Sequence, residues 1–216
     1  MIKIIFEDNH LLVVEKPINL PVNSDSSHDP NLLDLLKEDL KKRYQKQGRI
    51  YLGLVHRLDR PVGGLMVFAK TSKAAARLSK QLQDKSFQKT YLAVVLGQTP
   101  AFANYQDYLL KDNNTNITKV DPQGKLALLS YQTLFFSEDL SLVEINLETG
   151  RSHQIRVQFA FHGFPLWGDQ KYNKEAIVGQ QLALYAAKLS FLHPISQERL
   201  TFQLLPHTLP FNLFKL

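Results

Sequence analysis

The chain has 216 residues, of which 44% are hydrophobic and 21% charged, a balance that is typical of globular proteins and excludes a disordered or collagen-like chain. It contains no cysteine, which excludes disulfide scaffolds, zinc fingers and thiol catalysis, and no apolar stretch approaches the roughly 18 residues that span a bilayer. Lys and Arg number 26 against 20 Asp and Glu, and the net charge of +6 favours a polyanionic partner such as nucleic acid.

The first part of the chain is predicted to alternate short strands with two amphipathic helices. Leucines at positions 32, 36 and 40 recur every fourth residue, which indicates a helix. Apolar runs on either side of a polar elbow indicate two buried strands. In chain order, the predicted elements are two strands within Ile4 to Lys16, a loop from Pro17 to Pro30, a helix from Asn31 to Gln47, strands from Tyr51 to Val55 and from Leu65 to Ala69, and a helix from Ser72 to Gln83.

The remainder of the chain is predicted to consist mainly of strands. In chain order, the predicted elements are a strand from Thr90 to Leu96, a long polar loop from Lys111 to Gly124, hairpin strands from Lys125 to Phe135 and from Ser141 to Glu148, a helix from Ser152 to Phe161 capped by Ser152, and late strands from Ala183 to Phe191 and from Arg199 to Leu205. Because strands dominate and short turns join most of them, we predict an α+β fold with a large, mostly antiparallel sheet. No interdomain linker interrupts the sequence, so we expect a single domain over residues 1–216.

The elbow, residues 56–64, holds the densest cluster of unusual residues in the chain. Its sequence, HRLDRPVGG, places Asp59 between Arg57 and Arg60. Guanidinium neighbours favour the ionised form of a carboxylate, and an ionised carboxylate on a rigid elbow can act as a nucleophile, as a base or as the organiser of a phosphate site. A structural ion pair within a turn is the alternative interpretation of the same residues.

A second candidate segment, residues 149–158, has the sequence TGRSHQIRVQ. It places Arg151, His153, Gln154 and Arg156 at the start of a predicted helix, where free N–H groups attract anions. Side chains of these types suit phosphates and base edges, although a solvated helix face explains them as well. Tyr91 begins an apolar strand and could stack on a base or move a proton, or could be a core aromatic whose hydroxyl reaches the sheet edge.

Several other site types lack support in the sequence. The histidines, which include His56 and His153, are not spaced like a known set of metal ligands, and we therefore expect no metal site. The glycine motifs that bind nucleotide phosphates and the G-x-S-x-G motif of serine hydrolases are absent from the sequence. The residue types alone thus lead to a basic α+β protein with a candidate site of arginine and aspartate.

Taken together and in this order, these segments resemble the RluA-type family of RNA pseudouridine synthases. The resemblance rests on the following stretches and covers nearly the whole chain: IIFEDNHLLVVEKPINLPV, LVHRLDRPVGGLMVFAKT, QKTYLAVVLG, ETGRSHQIRVQFAFHGFPLWGDQKY and LSFLHP. It implies a mixed, mostly antiparallel sheet in two halves flanked by helices, with a central catalytic cleft. It also implies isomerisation of uridine to pseudouridine in RNA without a metal or organic cofactor.

The resemblance also implies roles for individual residues. Asp59 would be the catalytic nucleophile, and Tyr91 would pack on the uracil and take part in proton transfer. Arg156 would pair with Asp59 and orient it, and Arg57 would help to displace the target base. Attack at the ribose C1′, attack at the base C6 and a glycal route all remain open. The residues implied to bind substrate are His56, Arg57, Arg60, Arg151, His153 and Gln154.

Two departures from the family pattern are visible. Where the family often has a hydroxyl residue before the glycine that follows HRLDR, this chain has Pro61-Val62-Gly63-Gly64. The sequence also leaves no room for the N-terminal RNA-binding module of the S4 type that some relatives carry. We therefore expect the catalytic domain itself to recognise a structured RNA, such as a tRNA or rRNA stem-loop, in the cytoplasm. We expect no membrane association, no obligate protein partner and a monomer.

Two alternative functions fit the same residues. One is another aspartate-based activity on nucleosides, namely cleavage of the N-glycosidic bond. The other is a catalytically silent RNA-binding protein with the same fold. The two differ from the synthase in whether Asp59 changes a nucleoside and in which product is formed.

Overall fold

The structure is a computed structural model that describes residues 2–24 and 29–214 of the chain, so that residues 25–28 of the predicted loop lie outside it. Within these ranges lie eleven β-strands and three α-helices. The predicted fold class, α+β with a large and mostly antiparallel sheet, is confirmed. The chain divides into two compact units, the first formed by Met1–Gln88 with Lys188–Leu204 and the second by Lys89–Ala187 with Leu205–Leu216.

The helices are α1 (Leu32–Arg43), α2 (Ser72–Gln83) and α3 (Gln154–Phe161), with a short 3-10 helix at Phe211–Leu213. The strands are β1 (Lys3–Glu7), β2 (Leu11–Lys16), β3 (Gly53–Leu54), β4 (Gly63–Ala69), β5 (Gln88–Leu96), β6 (Phe102–Asp112), β7 (Ile117–Val120), β8 (Lys125–Ser137), β9 (Leu140–Leu147), β10 (Leu184–Leu192) and β11 (Arg199–Gln203). None of the helices in the described ranges is long and apolar enough to cross a membrane.

The core of the first unit lies between its strands and α2. β2 pairs antiparallel with β1 on one side and with β4 on the other, and the residues from Leu11 to Val14 have no exposed surface. Alternate residues of β2 and β4 point to α2, where Ala74 and Leu78 meet them. The side chain of Thr71 caps α2 by accepting the N–H of Ala74.

The second unit is an antiparallel sheet in the order β5-β9-β8-β6-β7, with α3 packed against one face. Tyr105 of β6 and Tyr131 of β8 contact Phe159 of α3. Their ring centroids lie 5.3 and 5.0 Å, respectively, from that of Phe159. Leu109 of β6 packs with Val157 of the same helix. These apolar contacts fix the position of α3 on the sheet, and with it the position of Arg156 on its buried side.

The predicted long loop from Lys111 to Gly124 is wrong in part, because the structure places two strand segments there. β6 extends to Asp112, and β7 returns beside it from Ile117 to Val120. In β7, the polar residue Thr118 is buried and the apolar residue Ile117 is exposed. A half-buried strand normally buries its apolar residues and exposes its polar ones, so the sequence pattern did not indicate a strand here. The N–H of Thr118 donates to the hydroxyl of Tyr172, a tertiary contact that local pattern does not reveal.

Two element boundaries also differ from the prediction. The first helix ends at Arg43 rather than at Gln47, because Gln45 adopts a positive φ of 50° that stops helical propagation. The predicted strand from Tyr51 to Val55 is reduced to Gly53 and Leu54, which pair with the end of β4. The other predicted strands and α2 lie where the apolar periodicity indicates them, within a few residues at each end.

A pair of glycine substitutions tests the packing of the second unit. Gly168 has a φ of +71°, and a Cβ added there would lie 2.2 Å from the carbonyl oxygen of Gln181, whereas Gly163 has a φ of +87° and open space around it. We expect Gly163→Ala to lower the free energy of unfolding by about 1 kcal/mol through backbone strain. Gly168→Ala should cost roughly 1–3 kcal/mol more, because the backbone must also move. Urea denaturation of both variants measures the difference, and equal losses would contradict the close approach at Gly168.

Candidate active site

The elbow joins β4 through a tight turn that begins at Asp59. The N–H of Val62 donates to the carbonyl of Asp59 at 3.0 Å, so residues 59–62 form a β-turn with the aspartate at its first position. Leu58 and Val62 are buried on either side of the turn. Gly64, at the start of β4, has a φ of 117°, which glycine adopts without steric cost. Asp59 is therefore a partly buried carboxylate on a turn that is anchored in the core of its unit.

A buried lysine supports this turn. Lys16 is only 1% exposed, and its Nζ donates to the carbonyl oxygens of Pro17 at 2.9 Å, Leu20 at 2.7 Å and Arg60 at 3.0 Å. Burial lowers the pKa of Lys16 to about 8, and the negative charge of Asp59 acts in the opposite direction. Lys16 thus holds the backbone next to Asp59 and supplies a positive charge near its carboxylate. Sequence reasoning did not single out this residue.

The basic residues of the elbow have different environments. Arg57 is exposed, and Arg60 forms an ion pair with Asp29, with 2.6 Å between Nη2 and Oδ2. His56 accepts the N–H of Val67 on its Nε2 at 3.1 Å. A neutral His56 therefore carries its proton on Nδ1. These contacts tie Arg60 and His56 to their own unit, although Arg60, like Arg57, is exposed.

In the second unit, Gln154 holds together the turn that precedes α3. Its Oε1 accepts the hydroxyl of Thr149 at 2.7 Å and the N–H of Arg151 at 3.0 Å, and its Nε2 donates to the carbonyl of Leu128 at 3.1 Å. The side chain is buried. The contacts of Gln154 are those of a residue that shapes the turn, whereas Arg151, whose Nε donates to the carbonyl of Leu126, is exposed.

The predicted cap of α3 is wrong. The helix begins at Gln154, and its N-cap is His153, which has a left-handed φ of 52° and makes no capping hydrogen bond with its side chain. Capping by Ser152 would require an extended residue directly before the helix. The ring of His153 instead forms a hydrogen bond of 2.7 Å, from Nδ1, with the hydroxyl of Tyr172. A tertiary contact thus overrides the local capping preference.

Arg156 lies on the buried side of α3 and pairs with Asp169. Its Nε donates to Oδ2 of Asp169 at 2.8 Å and its Nη2 to Oδ1 at 2.6 Å, and both side chains are buried. The centre of the guanidinium lies 5.1 Å from the ring centroid of Tyr172. The sequence-based pairing of Arg156 with Asp59 stays a prediction, since these residues belong to different units. Asp169 itself was not found from sequence, because no motif marks it apart from other acidic residues.

Tyr91 and Lys89 project from the same side of β5, two residues apart. Tyr91 is buried and lies opposite Ile145 of β9. Burial lowers the pKa of Lys89, and a Cβ added at Gly150 would lie 3.5 Å from its Nζ. The ammonium group of Lys89 therefore lies close to the turn that leads into α3.

Chemically, the first unit offers a fixed carboxylate beside a buried cation, and the second offers a fixed guanidinium, a phenol and a histidine. Among the described residues, no group of three or more His, Asp or Glu side chains is placed to hold a metal ion.

Comparison with protein families gives a match that covers most of the chain. A family model described as RNA pseudouridylate synthase matches residues 10–161. This range contains the elbow, β5 and the segment from Thr149 to Phe161, and so includes Asp59, Tyr91 and Arg156, to which the family resemblance assigns catalytic roles.

Individual relatives agree with this match. The ribosomal large subunit pseudouridine synthase D of Zymomonas mobilis is 35% identical over 93% of this chain and 68% of that protein. The ribosomal large subunit pseudouridine synthase C of Vibrio cholerae is 33% identical over 91% of this chain and 63% of that protein. The chain therefore spans about two thirds of the length of these curated relatives.

A solved structure has the same fold. The human protein RNA pseudouridylate synthase domain containing 4 superposes with a TM-score of 0.82, covers 98% of this chain and 91% of its own, and is 23% identical. At this identity, the likeness concerns the fold alone.

The titration of Lys16 gives a pH-dependent prediction. The folded state releases the Lys16 proton near pH 8, whereas an unfolded lysine releases it near 10.5, so between these values the unfolded state binds more protons. The stability of the wild type should therefore rise with pH relative to Lys16→Met, by about 3 kcal/mol across the full window. Urea unfolding at pH 7.0, 8.5 and 10.0 measures this difference, with Lys41→Met on the exposed face of α1 as the control for loss of one charge. A difference that stays constant would show that Lys16 titrates as an ordinary lysine.

Proposed function

Because this chain belongs to the RNA pseudouridylate synthase family, we propose that it isomerises uridine to pseudouridine in RNA with Asp59 as the catalytic carboxylate. The prediction of an RNA pseudouridine synthase, an isomerase, is confirmed at the level of the family. The observation that carries the assignment of Asp59 is its position at the start of a turn that Lys16 and two buried residues hold rigid. Catalysis requires such a carboxylate to be aimed before the substrate arrives.

The reaction breaks the bond from the ribose C1′ to N1 of uracil and forms a bond from C1′ to C5, while the C5 proton leaves and N1 gains a proton. The target nucleotide must first leave its stack, which costs a few kcal/mol. Arg57 is exposed two residues before Asp59, so that its side chain can occupy the space that the base vacates. Asp59 then promotes cleavage of the glycosidic bond by attack at C1′, by attack at C6 or by formation of a glycal.

The second unit supplies the remaining groups in this proposal. Tyr91 offers an aromatic face for the uracil and a phenolic oxygen for the proton that leaves C5. Arg156, held by Asp169, supplies a fixed positive charge that acts on the catalytic carboxylate. Arg151 and His153 lie at the turn before α3, and exposed Arg151 suits a phosphate of the RNA backbone.

We propose a structured RNA, either a ribosomal or a transfer RNA stem-loop, as the substrate. The net charge of +6 favours a polyanion, and the names of the two bacterial relatives refer to the ribosomal large subunit. We further propose that the enzyme acts in the cytoplasm as a monomer, with no metal, no organic cofactor and no obligate protein partner.

Replacement of the proposed nucleophile tests the activity directly. Wild-type protein incubated with bulk rRNA and tRNA should create uridine isomers that leave the mass unchanged and react with carbodiimide. Asp59→Asn should lower this yield by about a thousandfold or more, because the carboxylate that attacks or assists is lost. Asp39→Asn, which removes a surface carboxylate of α1, should leave the yield unchanged.

The same experiment separates the alternatives. If both proteins bind RNA equally and neither changes a uridine, the chain is a silent RNA-binding protein. If the wild type releases free uracil, it is a nucleoside N-glycosidase.

Two arginines of the second unit should respond differently to substitution by methionine. Arg156→Met should lower turnover at saturating RNA sharply and weaken RNA binding little, because buried Arg156 is proposed to act on the carboxylate. Arg151→Met should weaken binding and reduce its salt dependence by roughly one counterion, with turnover at saturating RNA retained. Filter binding at several salt concentrations and single-turnover kinetics measure both effects at a temperature where each variant is folded. Equal losses of binding and turnover in Arg156→Met would assign Arg156 to the RNA backbone instead.

A further inference from the structure

Asp169 is a buried carboxylate whose four acceptor contacts all lie within the second unit. Its oxygens receive the two donors of Arg156, and Oδ1 also accepts the N–H groups of Lys171 at 3.0 Å and Tyr172 at 3.3 Å. An ionised carboxylate accepts about four hydrogen bonds. Asp169 is therefore satisfied as an anion, and its orientation is fixed by its own turn as well as by the arginine.

The pairing with Asp169 constrains Arg156 more than a single hydrogen bond would. One donor–acceptor contact lets a guanidinium pivot, whereas two parallel contacts, from Nε and from Nη2, fix both its position and its plane. Arg156 is thus held at its backbone by α3 and at its charged end by Asp169.

The turn that carries Asp169 also sets the neighbours of the guanidinium. The N–H of Tyr172 binds Asp169, and its ring lies 5.1 Å from the guanidinium of Arg156. The hydroxyl of Tyr172 bonds to His153 at 2.7 Å and accepts the N–H of Thr118 at 3.0 Å. Through hydrogen bonds and a ring contact, the turn at Asp169 therefore links Arg156, Tyr172 and His153.

The same segment is attached to β5, the strand that carries Tyr91. The N–H of Trp167 donates to the carbonyl of Val94 at 2.9 Å, and Leu166 forms a bridge with Val95. Gly168 then turns the chain with a φ of +71° directly before Asp169. Asp169 is consequently fixed relative to the strand of one proposed catalytic residue while it orients another.

Stability alone gives little reason to bury this ion pair. Desolvation of a buried charge pair offsets most of its attraction, and well-packed apolar residues of similar volume are often as stable or more stable. Asp107, the other buried carboxylate near α3, has no arginine partner among its described contacts and accepts only neutral or titratable donors, from Gln158 at 2.7 Å and from His162 at 3.1 Å. Of these two buried carboxylates, only Asp169 is paired with an arginine, and that arginine, Arg156, is the one that the reaction is proposed to use.

We propose that Asp169 is a positioning residue, which holds the guanidinium of Arg156 in the orientation required for turnover and does not itself contact the RNA. This inference rests on the proposed function, in which Arg156 serves the reaction. Loss of the carboxylate should therefore change the rate of isomerisation more than the affinity for RNA.

The test compares two buried carboxylates of the same unit. Asp169→Asn presents an amide group to one arginine donor and should lower kcat by at least about tenfold, with KM and the Kd for RNA within about twofold. Asp107→Asn makes the same chemical change beside the same helix and should leave kcat within about twofold at temperatures where the protein is folded. A lower Tm of Asp169→Asn with its kcat unchanged would show that Asp169 has a purely structural role, and would overturn the proposal.

A double-substitution cycle adds a measurement that stability does not affect. On the Arg156→Met background, Asp169→Asn should cause no further loss of kcat, because the group it positions is already absent. Additive losses would overturn the proposal. An inactive wild type would instead overturn the proposed function, so the two failures are distinguishable.

If Asp169→Asn does not fold, Arg156→Lys tests the same inference. Lysine keeps the charge opposite Asp169 but cannot make two parallel contacts. The proposal requires Arg156→Lys to lose nearly as much kcat as Arg156→Met, and retention of most of the wild-type kcat by Arg156→Lys would overturn it.

Discussion

A charge can remain buried in a protein only where hydrogen bonds and an opposite charge surround it, and each unit of this chain is organised around such a charge. In the first unit, Lys16 donates to three carbonyl oxygens, one of which belongs to the elbow. In the second, Arg156 and Asp169 satisfy each other through two contacts. The bond from Lys16 to Arg60 spans 44 residues and the pair of Arg156 and Asp169 spans 13, so these contacts fix the geometry around the candidate catalytic groups.

Rigid placement of this kind has a chemical purpose. A carboxylate or guanidinium that is already oriented needs little reorganisation when the charge of the reacting group changes, and this preorganisation is a large part of enzymatic rate enhancement. The elbow provides it through a β-turn and buried neighbours, whereas α3 provides it through aromatic packing against β6 and β8. The chain belongs to the RNA pseudouridylate synthase family, and the reaction that we propose for these groups is the isomerisation that defines this family.

The parts of the fold that sequence predicted well are those with strong apolar periodicity. β9 alternates Val143 and Ile145 with polar residues, and α2 carries an apolar stripe at helical spacing, so both lie where they were expected. β6 and β7 escaped prediction because their exposed residues include Phe102 and Ile117, which hide the alternation. The cap of α3 was mispredicted because His153 bonds to Tyr172, which is 19 residues away.

The sequence by itself indicated the fold class through its apolar periodicity, and its motifs, by their resemblance to a known family, indicated the family and the three segments that carry the candidate chemistry. Periodicity and motif spacing are local properties of the chain. Only the tertiary structure revealed that Lys16 supports the elbow from 44 residues away and that Asp169 holds Arg156. The motifs assigned no role to Lys16 or to Asp169. Without the fold, nothing distinguishes Lys16 among the 26 basic residues, or Asp169 among the 20 acidic residues, as the one that forms these contacts. The reason is physical: a buried charge takes the partner that folding brings to it, and folding depends on packing throughout the unit.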